Sequence, residues 1–130
     1  MMSATEQWWA YAERDLVTAR ALLATERWEA VSFHAQQAVE KGLKALLVQA
    51  SGGLPPRVHD LVRLAELAGV PEDLWIELDD LSRAYVLTRY PDAVPGDASD
   101  YGIDRMAAER HLRLAEMVLQ WANHRLSTGS

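Results

Sequence analysis

The sequence predicts an all-α protein, an up-and-down bundle of about five helices, four long and one short. Alanine and leucine lead the helix-propensity scale, and they supply 20 and 18 of the 130 residues. The residues that fill strands are scarce, with two isoleucines and a single phenylalanine. Apolar residues recur at helical spacing, and no linker or repeat divides the chain. We therefore expect a single helical domain over residues 1–130.

The first two helices are predicted to form an antiparallel hairpin. The first begins at Ser3-x-x-Glu6, a capping box in which each side chain accepts a free backbone N–H, and runs to about Ala24. A short break over Thr25–Arg27 leads into a second helix over about Trp28–Ala50. Two long helices joined by so short a turn are typical of an up-and-down bundle.

Glycine and proline mark the next boundaries. The strongest helix-breaking run is SGGLPP at positions 51–56. A short third helix is predicted over about Asp60–Ala68, and Gly69 is suited to its C-cap because glycine tolerates the left-handed conformation.

Two further helices complete the predicted bundle. The fourth covers about Glu72–Thr88 and ends before Pro91, because the residue that precedes a proline resists the helical conformation. Residues 92–102 form the longest predicted loop. The fifth helix covers about Ile103–Leu126 and is amphipathic.

Composition and charge exclude several classes of function. The net charge is −6, with its densest acidic stretch over Glu72–Asp80, so the basic footprint of a general nucleic-acid binder is absent. The four histidines lack metal-ligand spacing, and no glycine-rich phosphate loop is present, so neither a metal nor a cofactor is expected. The sequence contains no cysteine, no apolar run near ~20 residues and no signal-peptide layout, which suits a cytoplasmic protein.

Asp15 stands against the apolar pattern of the first helix. At about 100° per residue it falls within the apolar arc, where a carboxylate is costly unless it is paired. Arg89 and Arg110 are the candidate partners, since both project toward the predicted core. Either a polar pocket or a structural ion pair fits this arrangement, and the structural pair is the commoner outcome.

The second helix carries a polar face opposite its apolar one. In one interpretation the face is solvated and holds a Glu40–Lys44 ion pair at i,i+4, worth ~0.3 kcal/mol. In the other, its ammonium, imidazole and amide groups hold a phosphate or a nucleotide edge, and Phe33 indicates that another helix or a partner chain covers part of it. The polar residues are His34, Gln37, Glu40, Lys41 and Lys44.

The same helix resembles a known family. The run FHAQQAVEKGLKAL at positions 33–46 looks like the HEPN domain (higher eukaryotes and prokaryotes nucleotide-binding). Further matches follow the family order: AERDL at 12–16, HDL at 59–61, RYPD at 89–92, and Tyr101 before the last helix. The resemblance covers nearly the whole chain.

The resemblance implies a binding or regulatory protein. HEPN domains are commonly dimeric, and prokaryotic ones are often paired with a minimal nucleotidyltransferase in toxin–antitoxin systems, so we expect a homodimer with such a partner and possible contact with nucleotide or RNA. A purely structural interaction module is an alternative. The expected nucleotide- or partner-binding residues are Arg14, Asp15, Phe33, His34, Gln37, Lys41, Lys44, Arg89 and Tyr90.

A metal-independent endoribonuclease is the other alternative, because many HEPN proteins cleave RNA with an arginine and a histidine that are separated by four to six intervening residues and are brought together across a dimer. Arg27 with His34 and Arg105 with His111 fit by counting, yet roughly one such spacing is expected by chance. Arg105 and His111 would point ~120° apart on one helix. The region after the fourth helix, where the motif is expected, has RYPD and no histidine. An enzyme is therefore not the leading interpretation.

Overall fold

The computed structural model describes the backbone of residues 1–89 and 103–128, and the side chains of these residues except 85–89. Within these ranges there are five α-helices and no strand, which confirms the predicted all-α fold. None of the described helices has the length and apolar content needed to cross a membrane. The helices are α1 (Ala4–Leu22), α2 (Trp28–Ser51), α3 (Leu61–Ala68), α4 (Trp75–Arg89) and α5 (Arg105–Thr128).

The α1–α2 hairpin begins and turns close to the predicted positions. Ser3 and Glu6 form the expected capping box, with both reciprocal bonds at 3.1 Å. Helix α1 ends earlier than predicted, because Leu23–Thr25 form a 3₁₀ turn. Glu26 then takes the left-handed conformation with φ 60°, and this residue reverses the chain into α2.

The later helix starts are shifted by two or three residues. Helix α4 begins at Trp75 because Glu72–Leu74 form a 3₁₀ turn. Helix α5 begins at Arg105, where the Asp104 side chain accepts the amide N–H of Ala107 at 2.9 Å. The predicted loop over 92–102 lies outside the described residues.

Helix α2 is the centre of the bundle and packs against each of the other four helices. It runs antiparallel to α1, since Lys44 lies over the Trp8 ring while His34 bonds Asp15 further along both helices. Large aliphatic side chains fill the space between the helices. Those that are fully buried are Val31, Val39, Leu43, Leu61, Leu64, Leu78, Leu81 and Val118.

Helices α2 and α5 run parallel and approach closely at a glycine. Ser32 bonds His111 near one end of the pair, and Gln49 donates to the carbonyl of Leu126 near the other. Between them, a Cβ added to Gly42 would clash with the Leu119 side chain and reach van der Waals contact with the Trp9 ring at 3.5 Å. Glycine at this point lets α1 and α5 both sit close to the α2 backbone.

A buried histidine links three helices through hydrogen bonds. His111 of α5 lies 2.8 Å through Nε2 from Asp80 of α4, and 2.7 Å through Nδ1 from the Ser32 hydroxyl of α2. Since a carboxylate only accepts, Nε2 carries the proton, and Nδ1 of the neutral ring accepts from Ser32. Arg110 also donates to Asp80, at 3.2 Å. The predicted pairing of Arg110 with Asp15 is therefore wrong, because Arg110 contacts α4 instead of α1.

The His111 network predicts a loss of stability in acid. Burial lowers the pKa of His111 below its ordinary 6.5, so the unfolded chain binds a proton there more readily than the folded chain. Burial would raise the pKa of Asp80, but the hydrogen bonds from His111 and Arg110 outweigh it and lower that pKa below 3.8. Folding stability is therefore expected to fall as the pH drops below about 6.5, and again below about 3.8.

Urea unfolding at a series of pH values measures this effect. In His111→Gln the decline between pH 7 and pH 5 should shrink, because the titrating group is gone. Val118→Ala is the matched control in α5, since it removes buried apolar surface without a charge and should lower stability equally at each pH. A His111→Gln profile as steep as that of the parent protein would rule out His111 as the source.

Candidate functional site

Asp15 joins α1 to α2 through two side chains of the run at positions 33–46, the segment that resembles the HEPN domain. Its Oδ1 lies 3.0 Å from His34 Nδ1, and its Oδ2 lies 2.6 Å from Lys41 Nζ. The Asp15 side chain is 13% exposed, so its charge is largely removed from water and its pairing matters. Asp15 is paired, as one of the two sequence interpretations predicted, but its partners are His34 and Lys41 and not Arg110. The side chain of Arg89, the other proposed partner, lies outside the described residues.

Two cations lie against one exposed aromatic ring beside this carboxylate. Tyr11 is 49% exposed, with the Arg14 guanidinium 5.4 Å and the Lys41 ammonium 5.9 Å from its ring centroid. Both distances fall within the range of cation–π attraction. We call Tyr11, Arg14, Asp15, His34 and Lys41 the Tyr11 face. It carries two permanent cations and one carboxylate, in a chain of net charge −6.

His34 is oriented from two sides. Its Nδ1–H donates to Asp15, which leaves Nε2 as the second polar atom of the ring, on a side chain that is 29% exposed. Phe33 packs edge-on against the imidazole, with ring centroids 5.2 Å apart at 87°. The predicted site residues Arg14, Asp15, Phe33, His34 and Lys41 are thus brought together.

A second polar cluster runs along α2 and is buried. Glu40 accepts from Lys44 at 2.9 Å and from Gln36 at 3.1 Å, and His59 lies 3.0 Å from it. Gln37 extends this cluster by donating to Gln36 at 2.7 Å. The side chains of Glu40 and Lys44 are each only 7% exposed, so the predicted solvated face is wrong for these two residues. Every buried side-chain nitrogen and oxygen among the described residues has a hydrogen-bond partner.

The burial of Lys44 follows from what covers α2. The Trp8 ring of α1 lies 5.7 Å from its ammonium, and His59, from the segment that leads into α3, closes over Glu40. Lys44 was among the expected binding residues, but its position inside the bundle leaves Lys41 as the lysine of α2 that a ligand reaches more easily. Periodicity within one helix does not show which neighbouring segment will cover its polar face.

Sequence reasoning took no account of two aromatic residues at this face. Neither Trp8, which lies against Lys44, nor Tyr11 was among the predicted site residues. The signal that was available is spacing, since Tyr11 precedes Arg14 by three positions and Asp15 by four, which places all three on one side of α1.

Within one chain, the residues of the ribonuclease alternative contact other side chains: Arg105 contacts Trp28 and Glu26, His111 contacts Asp80 and Ser32, and His34 contacts Asp15. Arg105 stacks on the Trp28 ring at 5.1 Å and pairs with Glu26 at 3.5 Å. His111 is 3% exposed, so its imidazole does not reach an RNA backbone unless the helices separate. In the described part of the chain, no hydrogen bond joins Arg105 to His111, or Arg27 to His34. Tyr90 lies outside the described residues.

The described residues offer no cluster of three or more histidine, cysteine or acidic side chains that would hold a metal ion. The candidate site is an arrangement of cations, one carboxylate and an exposed aromatic ring on an all-α bundle. These features define the class of protein as a helical bundle with a cation–aromatic face on its first hairpin.

Comparison with known proteins assigns this bundle to a family. The family model of the HEPN domain matches residues 5–125, which is nearly the whole chain. The chain belongs to the HEPN family, as the resemblance in α2 implied. No functionally curated protein matches the chain.

Two solved structures are similar along almost their full length. The crystal structure of TT1696 from Thermus thermophilus is 32% identical with a TM-score of 0.81, and the similarity covers 95% of this chain and 99% of that one. The crystal structure of ST0689, an archaeal HEPN homologue, is 30% identical with a TM-score of 0.77, covering 95% and 98% of the two chains.

Proposed function

We propose that this HEPN protein binds a nucleotide at the Tyr11 face. The observation that carries the proposal is the exposed Tyr11 ring with Arg14 and Lys41 against it. A nucleotide presents a flat apolar base and a phosphate. An exposed aromatic ring can stack on the base, and a guanidinium can pair with the phosphate through two parallel hydrogen bonds.

Each residue of the face has a distinct role in this proposal. Tyr11 stacks the base, and Arg14 binds the phosphate as the most accessible cation. Lys41 adds positive charge while Asp15 fixes its position. His34 Nε2 supplies a further polar contact beside the phosphate.

Other expected residues fit around this core of the site. Phe33 packs against His34 beside the face, and Gln37, one turn further along α2, remains a proposed contact. Arg89 and Tyr90 remain proposed contacts, because both belong to the RYPD match of the family resemblance.

Titration of the protein with AMP, adenosine and inorganic phosphate tests the proposal. AMP should bind more tightly than either fragment, because only AMP engages both the ring and the cations. Arg14→Ala should weaken AMP binding about tenfold, the loss expected for a hydrogen-bonded charge. Tyr11→Ala should weaken it by a similar factor through lost stacking, whereas Tyr11→Phe should retain binding.

Arg125→Ala is the matched control for Arg14→Ala. Arg125 also stacks on an aromatic ring, that of Trp121 at 4.7 Å, but it lies in the last turn of α5. Its removal changes the net charge equally and should leave AMP affinity unchanged. Equal weakening in both variants, or no AMP binding at millimolar concentration, would contradict the proposal.

We also propose the biological setting that the family resemblance implies. The protein would act as a homodimer beside a minimal nucleotidyltransferase, in a toxin–antitoxin-type system, with the Tyr11 face as its nucleotide- or partner-contacting surface. The cytoplasm is the proposed compartment, because the sequence contains no cysteine. The neighbouring reading frame tests this setting, because it should encode a small nucleotidyltransferase.

A further inference from the structure

A groove runs between α1 and α5 on the side of α1 that faces away from Tyr11. It consists of two adjoining cavities of about 380 Å³ and 370 Å³, which share Trp9, Glu13 and Asn123. One cavity reaches Arg20 and the other reaches Met2, so together they follow nearly the whole of α1. At 1.5 Å per residue this length is roughly 27 Å, enough for a helix of about four to five turns.

The floor of the groove lies where α1 and α5 approach each other over the α2 glycine, and Leu16 and Leu119 are buried beneath it. Trp9 and Leu119 approach each other over Gly42, where any side chain would interfere with them. Leu16 and Leu126 extend the floor toward the two ends. Trp9 is only partly buried by these contacts, so its ring remains available to an apolar side chain from outside.

The rim of the groove is acidic. Arg20 donates through Nε and Nη2 to one oxygen of Glu116, at 3.0 Å and 2.8 Å, so this pair is neutral. Glu6 accepts the backbone N–H of Ser3 in the capping box, which is its one side-chain hydrogen bond within residues 1–84 and 103–128. Glu13 is exposed and makes no ion pair among the described residues. The groove therefore has two carboxylates, those of Glu6 and Glu13, that form no ion pair with any residue that the structure describes.

The distance between the two carboxylates determines which partner helix can pair with both of them. Glu6 and Glu13 are seven residues apart on α1, which places them on the same side of the helix, about 10.5 Å apart along its axis. A second helix laid along the groove meets both of them when it carries two cations at the same interval. Its apolar face then lies on Trp9, Met2 and Leu126.

We propose that the α1–α5 groove binds a basic amphipathic helix of a partner protein, with arginine or lysine at an interval of seven residues. The proposal is independent of nucleotide binding, because the groove and the Tyr11 face lie on opposite sides of α1. Burial of the apolar face supplies the affinity, and the two ion pairs with Glu6 and Glu13 set the register.

A second copy of this chain is a poorer occupant on electrostatic grounds. A symmetric contact places each groove against the same groove of the other copy, so Glu6 and Glu13 would face carboxylates. Each copy also carries a net charge of −6. Like charges brought together without counterions oppose association.

A pair of synthetic peptides tests the groove on the full chain. Both peptides are amphipathic helices of about 15 residues with leucines on one face. One carries two arginines seven positions apart, and the other carries glutamates at the same positions. Fluorescence anisotropy of the labelled peptides should show binding of the basic peptide only, and this binding should weaken with salt.

Charge reversal in the groove distinguishes this site from general attraction to an acidic protein. Glu13→Lys should weaken binding of the basic peptide at least about fivefold, by replacing an ion pair with a repulsion. Glu77→Lys is the matched control, an exposed glutamate on α4 outside the groove, and should change binding little. Equal effects of the two variants, or no binding of the basic peptide, would overturn the proposal. It would also be overturned if sedimentation showed a dimer that Glu13→Lys dissociates, because the groove would then hold a second copy.

Discussion

Replacing Glu40 with glutamine is expected to lower the free energy of unfolding by about 3 kcal/mol, the lower end of the cost of breaking a buried ion pair. The carboxylate of Glu40 receives Lys44, Gln36 and His59, and both members of the ion pair are 7% exposed. Glutamine keeps one oxygen for Gln36, but its amide NH₂ turns a donor toward the Lys44 ammonium, which remains buried without a counter-charge. Urea unfolding followed by circular dichroism measures the difference, and the melting temperature should fall by roughly 10 °C.

The cause of this loss can be isolated with a second substitution. Adding Lys44→Met to Glu40→Gln replaces the buried, unpaired ammonium with an uncharged side chain of similar length. The double variant should therefore recover at least half of the stability lost in Glu40→Gln. Glu13→Gln is the exposed control and should change stability by less than about 0.5 kcal/mol. If the double variant were less stable than Glu40→Gln alone, burial of an unpaired ammonium would not be the source.

Gly42→Val is expected to destabilise the protein by about 2–3 kcal/mol, although valine is a better helix former than glycine. The added side chain would enter the space occupied by Leu119 and would press on Trp9, so α1 or α5 must move away from α2. Overpacking of this kind forces side chains out of their preferred rotamers in a closely packed core. The free energy of unfolding in urea is again the measurement.

Gly53→Val provides the comparison for the Gly42 variant. A Cβ at Gly53 has no neighbour closer than the Ser51 hydroxyl at 3.9 Å, so this substitution should change stability by less than about 0.5 kcal/mol. Combining Gly42→Val with Leu119→Ala should cost less than the sum of the two single changes, because the smaller side chain makes room for valine. Strict additivity would show that the two positions do not compete for space.

The fold was predictable because its signals are local. Periodic alanine and leucine, a capping box at Ser3 and a C-cap at Gly69 with φ 84° each specify a helix or its end without reference to distant residues. The errors arose at short turns. Two 3₁₀ turns adjoin α-helices, at Leu23–Thr25 and at Glu72–Leu74. Their apolar pattern is the same as that of the neighbouring α-helices, so the sequence does not distinguish them.

The candidate site was predictable only in part because it depends on contacts between helices. Asp15 was identified correctly as a carboxylate that needs a partner, since its position in the apolar arc is a property of one helix. The choice of His34 and Lys41 depends on the register between α1 and α2, which no single-helix pattern contains. The burial of Glu40 and Lys44 likewise depends on how α1 and the segment before α3 fold over α2.

The order of the helices along the chain has a kinetic consequence. Asp15 and His34, which join α1 to α2, are 19 residues apart, whereas Arg20 and Glu116, which join α1 to α5, are 96 residues apart. Closing the longer loop costs more chain entropy before any contact compensates for it. We therefore expect the α1–α2 hairpin to assemble early and α5 to dock late, so the Tyr11 face would be formed before the last helix completes the bundle.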